Sequence, residues 1–215
     1  MSNNFKIPLL FFSGLLFFVC SCTKEYSCEN CLQTSTPVDT TLTDSTIFTD
    51  CLIDGVRYFN IAGREGCSST YESAGSSTTK FYLLGVGGKN TTGTGTDKNS
   101  LYFYKGNQQI DNTLPLKLQT IAYFSPGAYP YTKMFSIIEG TALIWTDSNG
   151  KKWQTDLGTG IQSGSSFIIT KEDFSFLNGI VNGIYVRATF TCILYDGLGN
   201  SKILTNGKFC LAVRA

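Results

Sequence analysis

Cysteine and carboxylate side chains dominate the potential chemistry of this 215-residue chain, which has eight cysteines and no histidine. Without histidine there can be no Ser-His-Asp or Cys-His nucleophile and no histidine-ligated metal site. Glycoside hydrolysis by two carboxylates is not excluded on this ground. From residue 51 onward the glutamates are Glu65, Glu72, Glu139 and Glu172, and none belongs to a motif with a catalytic role. We therefore predict no catalytic residue, no metal site and no cofactor.

The first 21 residues predict a secretion signal. Lys6 supplies one positive charge, and the apolar core that follows is shorter than the roughly 20 residues of a transmembrane helix. The tetrapeptide from Val19 to Cys22 resembles the bacterial lipobox, with Cys20 in an unusual second position. This implies that Cys22 receives a diacylglycerol thioether and becomes the acylated N-terminus, anchored to a membrane. The alternative is an ordinary cleaved signal followed by a chance cysteine.

Residues 22–50 form a predicted tether between the anchor and the folded body. The segment 32–50 is rich in Thr, Ser and Asp, so it lacks the apolar surface needed to offset chain entropy and is expected to stay extended. Thr40 and Ser45 lie in Asp-Thr-Thr and Asp-Ser-Thr triplets that resemble a short O-glycosylation signal, although the composition alone can produce such matches. These two residues are candidate glycosylation sites.

Six cysteines remain once Cys20 is cleaved off and Cys22 is acylated, and an even number in an exported chain predicts disulfides. One Cys-x-x-Cys pair has thioredoxin-like spacing, but it lies in the tether rather than in a βαβ unit, and zinc would require a second ligand pair. Cys51 and Cys67 close a short loop and could pair locally. The six disulfide candidates are Cys28, Cys31, Cys51, Cys67, Cys192 and Cys210.

The body, residues 51–215, is predicted to be one all-β domain. Short runs of β-branched and aromatic residues recur between turn residues, and only 171–177 is expected to form a short helical turn. Alternate residues from Val186 to Leu194 are apolar and should face the core. The predicted strands are 51–60, 80–87, 100–105, 116–123, 135–146, 151–155, 166–170, 183–195, 202–204 and 207–213.

Two hairpins are predicted from their turn residues. A two-residue turn at Asn149-Gly150 places Trp153 opposite Thr146, whereas a three-residue turn places Trp145 and Trp153 side by side. A second turn at 196–201 places Cys192 opposite Leu204. Cys210 then lies about 20 Å further along the strand, so a bond between Cys192 and Cys210 would require a bulge.

The second half of the body has a recognisable series of motifs. PGAYP at 126–130 is followed by SFIIT at 166–170, ATF at 188–190 and LTNGKF at 204–209. The series resembles a family of small uncharacterised Bacteroidota lipoproteins, although leucine replaces the usual isoleucine at 204 and the ATF element lacks its glycine. The resemblance covers about residues 120–215 and implies an antiparallel β-sandwich or a sandwich-like barrel. It implies no activity and no functional residues.

Aromatic side chains are the best candidates for a binding surface. Tyr129, Tyr131, Trp145 and Trp153 could form a platform on which a sugar ring or a protein partner stacks. The alternative is that these rings cap the end of the fold or fill its core. The formal net charge of +1 gives no reason to expect a nucleic-acid partner.

These features predict a lipid-anchored protein of the outer membrane, on its periplasmic or its surface leaflet. Its expected role is a non-catalytic binding or structural module, with the membrane, a glycan or another envelope protein as partner. A first alternative is a glycoside hydrolase, which requires two carboxyl groups in one cleft. A second is a lipocalin-like small-ligand binder, which requires an open apolar cavity.

Overall fold

The computed structural model describes residues 45–64, 67–88, 98–177 and 180–214. This part of the chain is all-β, as predicted, with eleven strands and one short helix. The helix α1 covers Leu116–Tyr123. The strands are β1 (Phe48–Ile53), β2 (Val56–Ile61), β3 (Cys67–Gly75), β4 (Thr79–Gly88), β5 (Ser100–Gln109), β6 (Gly127–Ala128), β7 (Gly140–Thr146), β8 (Lys152–Gln154), β9 (Ser166–Leu177), β10 (Ile180–Tyr195) and β11 (Ser201–Arg214).

The strands form one antiparallel sheet that branches at β10. The main order is β2-β1-β11-β10-β8-β7-β5-β4-β3, while β9 pairs with β10 and β6 pairs with β9. One edge of β10 pairs with β11. The other edge pairs with β9 along most of its length and with β8 at Tyr195. The sheet curls so that β1 and β11 pack across from β4. The result is a curled half barrel, in agreement with the antiparallel β-sandwich or sandwich-like barrel that the resemblance implied.

The core lies inside this curl and is centred on four buried phenylalanines from four strands. The ring of Phe167 in β9 stacks on that of Phe103 in β5, with 4.7 Å between the ring centroids. Phe209 of β11 lies 5.2 Å from Phe103, and Phe190 of β10 lies 5.6 Å from Phe209. These contacts join strands far apart in the sequence, so they hold the two sides of the curled sheet together.

The predicted alternation along β10 is confirmed. Its apolar residues at alternate positions from Val186 to Leu194 are all buried, whereas Thr189 between them is exposed. Because successive side chains of a strand point to opposite faces, this set forms the inner face of β10.

The hairpin between β7 and β8 has a three-residue turn at 148–150. The backbone N–H of Asp147 donates to the carbonyl oxygen of Lys151 at 3.0 Å, which closes the turn. Trp145 is therefore paired with Trp153, the arrangement expected of the three-residue alternative. Gly150 has a φ of +81°, the left-handed conformation that glycine adopts at the end of such a turn.

Several secondary-structure predictions are wrong, and the strands β3 and β6 were not predicted. The predicted strand 51–60 is the hairpin of β1 and β2, and β1 already begins at Phe48, inside the predicted tether. The predicted strand 135–146 begins only at Gly140.

The segment Leu116–Tyr123 forms the helix α1, which begins after Pro115, rather than a strand. The side chains of Leu116 and Leu118 in this helix are both exposed. Residues 171–177 continue β9 in register with β10, so they form no helical turn. The strand β3 is mostly polar and gave no apolar signal.

The structure departs from the disulfide predictions for three cysteines, because Cys51, Cys192 and Cys210 are buried and form no disulfide. Cys192 lies opposite Leu204, as the regular hairpin predicted, and Cys210 lies opposite Arg187, five residues away along β10. That separation is about 17 Å, well beyond the reach of a disulfide.

Cys67 is disulfide-bonded. Cys51 is not its partner, so the predicted local pair of Cys51 with Cys67 does not form. The predicted sites at Cys22, Cys28, Cys31 and Thr40 also lie outside the described residues, while Ser45 is exposed just before β1. Among the helices that the structure describes, none is long and apolar enough to cross a bilayer.

Candidate functional site

The predicted aromatic platform does not form, because both tryptophans are buried in the core. Trp145 and Trp153 pack against each other with their ring centroids 6.3 Å apart, and each is less than a tenth exposed. The prediction that these two rings face a ligand is therefore wrong. Tyr129 and Tyr131 are half-buried and pack against the core.

Tyr131 has a structural role. Its hydroxyl donates to the carbonyl oxygen of Thr191 in β10 at 3.0 Å, and its ring meets that of Phe167 edge-on. Burial raises the pKa of this phenol well above its usual range. Of the four predicted aromatics, only Tyr129 lines an open cleft.

This cleft has a volume of about 580 Å³ and lies between the helix α1, the end of β5 and the segment that precedes β7. A volume of this size accommodates a small organic ligand. Polar and apolar atoms contribute about equally to its lining, which differs from the predominantly apolar cavity that a lipocalin-like binder requires. The lining residues are Asn107, Gln108, Gln109, Gln119, Ala122, Tyr123, Ser125, Tyr129 and Glu139.

The helix α1 supplies one wall of the cleft. Gln119, Ala122 and Tyr123 lie three and four residues apart, so they share one face of the helix. The side-chain oxygen of Gln119 accepts from the backbone N–H of Asp111 at 2.8 Å, and its amide nitrogen donates to the carbonyl oxygens of Asp111 and Leu114. These bonds fix the loop before the helix, so this wall is held in place without a ligand.

A buried lysine lies beside the cleft. Lys105 follows Phe103 by two residues in β5, so its side chain continues the inward face of that strand. The Lys105 side chain is 0% exposed, and its Nζ lies 2.8 Å from Oε1 of Glu139, whose side chain is 50% exposed. The same nitrogen lies 3.5 Å from the ring centroid of Tyr123 and 3.9 Å from that of Tyr129. Lys105 thus occupies a cage of two tyrosine rings and one carboxylate.

The cage keeps Lys105 protonated at neutral pH despite its burial. Desolvation lowers the pKa of Lys105 to about 8, and the hydrogen bond and charge of Glu139 act in the opposite direction. The ring faces of Tyr123 and Tyr129 also favour the ammonium form through cation–π attraction. Since the ammonium balances the charge of Glu139, the cleft has a carboxylate on its surface but little net charge.

Hydrogen bonds fix the two rings of the cage. The hydroxyl of Tyr123 donates to the carbonyl oxygen of Gly106, and the hydroxyl of Tyr129 donates to that of Ser125 at 2.7 Å. Burial, and then the negative charge of Glu139, raise the pKa of Tyr123. Both phenols therefore act as neutral hydrogen-bond donors, and neither is a base at physiological pH.

Comparison with protein families, with curated proteins and with solved structures gave no match. The geometry of the cleft is therefore the basis for any statement about function.

Glu139 is the one carboxylate among the described residues that line the cleft. Glu172 of β9 is near enough that its charge, like that of Glu139, raises the pKa of Tyr129, although burial is the largest cause of that shift. Burial also raises the pKa of Glu172, but this residue is not part of the lining. The lining thus lacks the pair of carboxyl groups that glycoside hydrolysis requires. No cluster of three or more metal-ligating side chains occurs in the described ranges.

Most of the cleft residues were not predicted from the sequence. Only Tyr129 was named as a binding candidate, and Glu139 was noted only as a glutamate without a motif. The sequence does contain a signal for Lys105: a lone lysine stands at an inward position of the apolar strand Ser-Leu-Tyr-Phe-Tyr-Lys. A charge at such a position needs a partner, and the structure supplies Glu139.

Proposed function

We propose that this protein is a lipid-anchored, non-catalytic binding protein of the outer membrane, and that its cleft binds a neutral polyhydroxylated ligand such as a glycan. The observation that carries the binding proposal is the composition of the cleft. Carboxamides, a hydroxyl and tyrosines line it, and the charge of its one carboxylate is balanced by Lys105.

A carboxamide suits such a ligand because it has both donors and an acceptor, as the hydroxyl groups of a sugar do. Gln119 uses its donors within the protein and Gln108 is buried, so Asn107 and Gln109 are the carboxamides that we assign to ligand contact. Tyrosine adds a flat apolar face for the carbon–hydrogen side of a sugar ring. Glu139 adds a half-exposed carboxylate that can accept hydrogen bonds from hydroxyl groups. A strongly charged ligand has no matching group of opposite charge, because Lys105 already pairs with Glu139.

The preformed shape of the cleft also supports a binding role. Gln119 fixes the wall of α1, and the amide of Gln109 donates to the side-chain oxygen of Asn107 at 2.9 Å. Asn107 in turn donates to the carbonyl oxygen of Ile137, which ties β5 to the segment before β7. A site that is already ordered loses less conformational entropy when a ligand binds.

The binding proposal is tested by calorimetric titration of the full chain with methyl glycosides and oligosaccharides of glucose, galactose, mannose, rhamnose and N-acetylglucosamine. We expect binding of at least one sugar, and we expect Gln109→Ala to weaken it about two- to tenfold, the usual range for one neutral hydrogen bond. Asn182→Ala, which removes an exposed carboxamide of β10 outside the cleft, is the matched control and should leave the affinity unchanged. If no sugar binds, or if both variants weaken binding equally, the glycan assignment is wrong.

The anchor is tested separately, by fractionating native cells. In the full chain, Cys22→Ser is expected to move most of the protein from the membrane pellet to the soluble fraction, because two or more acyl chains are what make such attachment stable. Cys20→Ser, two positions earlier, should remain in the pellet. Mass spectrometry of the wild type should find an N-terminal peptide that begins with acylated Cys22. Equal retention of both variants in the pellet would contradict the proposed anchor.

A further inference from the structure

Exposed apolar side chains concentrate beside the cleft. Among the residues that the structure describes, twelve large apolar side chains are exposed, and six of them lie in the segments 114–118 and 135–138. These two segments adjoin lining residues, since Gln119 follows the first and Glu139 follows the second. The cleft therefore has exposed apolar neighbours on two of its walls, and this arrangement requires an explanation.

On the helical wall, the apolar residue nearest the cleft is Leu118. It lies four residues before Ala122, so the two share one face of α1 and Leu118 extends that face outward by one turn. Leu118 is 61% exposed, and Leu114 in the preceding loop is 56% exposed. The backbone carbonyl oxygen of Leu114 accepts a hydrogen bond from the side-chain amide of Gln119, so Leu114 is fixed relative to the cleft.

On the wall before β7, the apolar residues are Ile137 and Ile138, which are 90% and 63% exposed. The carbonyl oxygen of Ile137 accepts from the side-chain amide of Asn107, a lining residue. The backbone N–H of Ile138 donates to the hydroxyl of Ser136 at 3.1 Å. The segment is therefore held in a defined conformation that keeps two isoleucines in water beside the cleft.

A cluster of exposed apolar side chains beside polar residues is typical of a surface that contacts an apolar partner or ligand. A free sugar in the cleft would leave Leu118, Ile137 and Ile138 in water. We propose that the ligand is a glycolipid, whose sugar headgroup occupies the cleft and whose hydrocarbon chain packs on these three side chains. This inference rests on the proposed glycan-binding function and adds the class of glycan. It also agrees with the proposed membrane anchor, which would hold the domain where glycolipids occur.

The test compares methyl and octyl glycosides of the five sugars, below the micelle concentration of the octyl forms. The protein is the full chain with Cys22→Ser, so that no acyl anchor or added detergent competes for the ligand. Each methylene that leaves water contributes roughly a fourfold gain in affinity. With only part of the chain covered, we expect the octyl form of the preferred sugar to bind at least tenfold more tightly than its methyl form.

Variants of the exposed apolar residues test which side chains cause the tighter binding of the octyl form. Leu118→Ser, and the double variant Ile137→Ser with Ile138→Ser, should each reduce the octyl advantage several-fold while leaving the affinity for the methyl form unchanged, which also shows that the cleft is intact. Leu198→Ser is the matched control, because Leu198 is 82% exposed but lies in the turn beside Lys151, at the opposite end of β7 from Glu139.

The outcomes separate this inference from the proposed function. If methyl and octyl forms bind equally, or if Leu198→Ser reduces the octyl advantage as much as the other variants do, the glycolipid assignment is wrong and glycan binding stands. If octyl forms of all five sugars bind while no methyl form does, the site recognises the alkyl chain alone, and both assignments are wrong. If nothing binds, the proposed function fails and this inference fails with it.

Discussion

Phe167→Ala is expected to lower the free energy of unfolding by about 3–5 kcal/mol, the usual range for removing a buried phenylalanine ring. Phe167 is 1% exposed, and its ring contacts the three other phenylalanines at the centre of the core. These rings come from β5, β10 and β11, so the cavity would open between strands that close the curled sheet. Small domains are stable by only about 5–15 kcal/mol, so this one substitution should remove a large fraction of the total stability.

Urea unfolding of the full chain with Cys22→Ser, monitored by tryptophan fluorescence, measures this loss. Phe174→Ala is the matched control, because Phe174 lies seven residues further along the same strand and is 50% exposed. We expect the control to lose less than about 1 kcal/mol. Similar losses in the two variants would show that the stack around Phe167 is not the energetic centre of the fold.

The buried side chains were predictable in a strand whose own sequence alternates between apolar and polar residues. Along β10, burial alternates with the chain because one face of the strand packs inward, so the sequence itself shows which side chains are inside. The helix α1 shows the limit of this reasoning. Its Leu116 and Leu118 alternate with polar residues, but neither is buried, and a helix of eight residues is too short to display a clear apolar stripe.

The candidate site was less predictable because its residues meet only through long-range pairing. Lys105 and Glu139 are separated by 34 residues, and it is the pairing of Gly106 with Gly140 in β5 and β7 that brings them together. Tyr123 reaches the same place at the end of a helix that the sequence pattern did not indicate. Neither residue type nor local spacing contains this information, since the register of distant strands is set by the packing of the whole sheet.

Lys105→Met is the substitution from which we expect the largest effect of pH. In the folded protein the pKa of Lys105 is lowered to about 8, mainly by desolvation, from a model-compound value of 10.5. Below pH 8 the lysine is protonated in both the folded and the unfolded state, and the folded state bears the unfavourable burial of the charge. Between about pH 8 and pH 10.5 the folded protein releases this proton, whereas the unfolded chain retains it.

Because the unfolded state then binds more protons, the contribution of Lys105 to stability becomes more favourable as the pH rises through this window. Methionine fills a similar volume but does not titrate, so the stability of the variant relative to the wild type should fall by roughly 2–3 kcal/mol between pH 7 and pH 10. Comparing each variant with the wild type at the same pH cancels the titration of the tyrosines that both proteins share.

The measurement is urea unfolding at several pH values, again in the full chain with Cys22→Ser. Lys208→Met, which removes an exposed lysine of β11, is the control for the loss of one positive charge. The difference in stability between Lys105→Met and the wild type could instead stay constant from pH 7 to pH 10. That result would mean that burial does not lower the pKa of Lys105. In that case the two tyrosine rings and Glu139 would compensate the desolvation of the ammonium completely, and the cage would hold its charge at any pH at which the protein is folded.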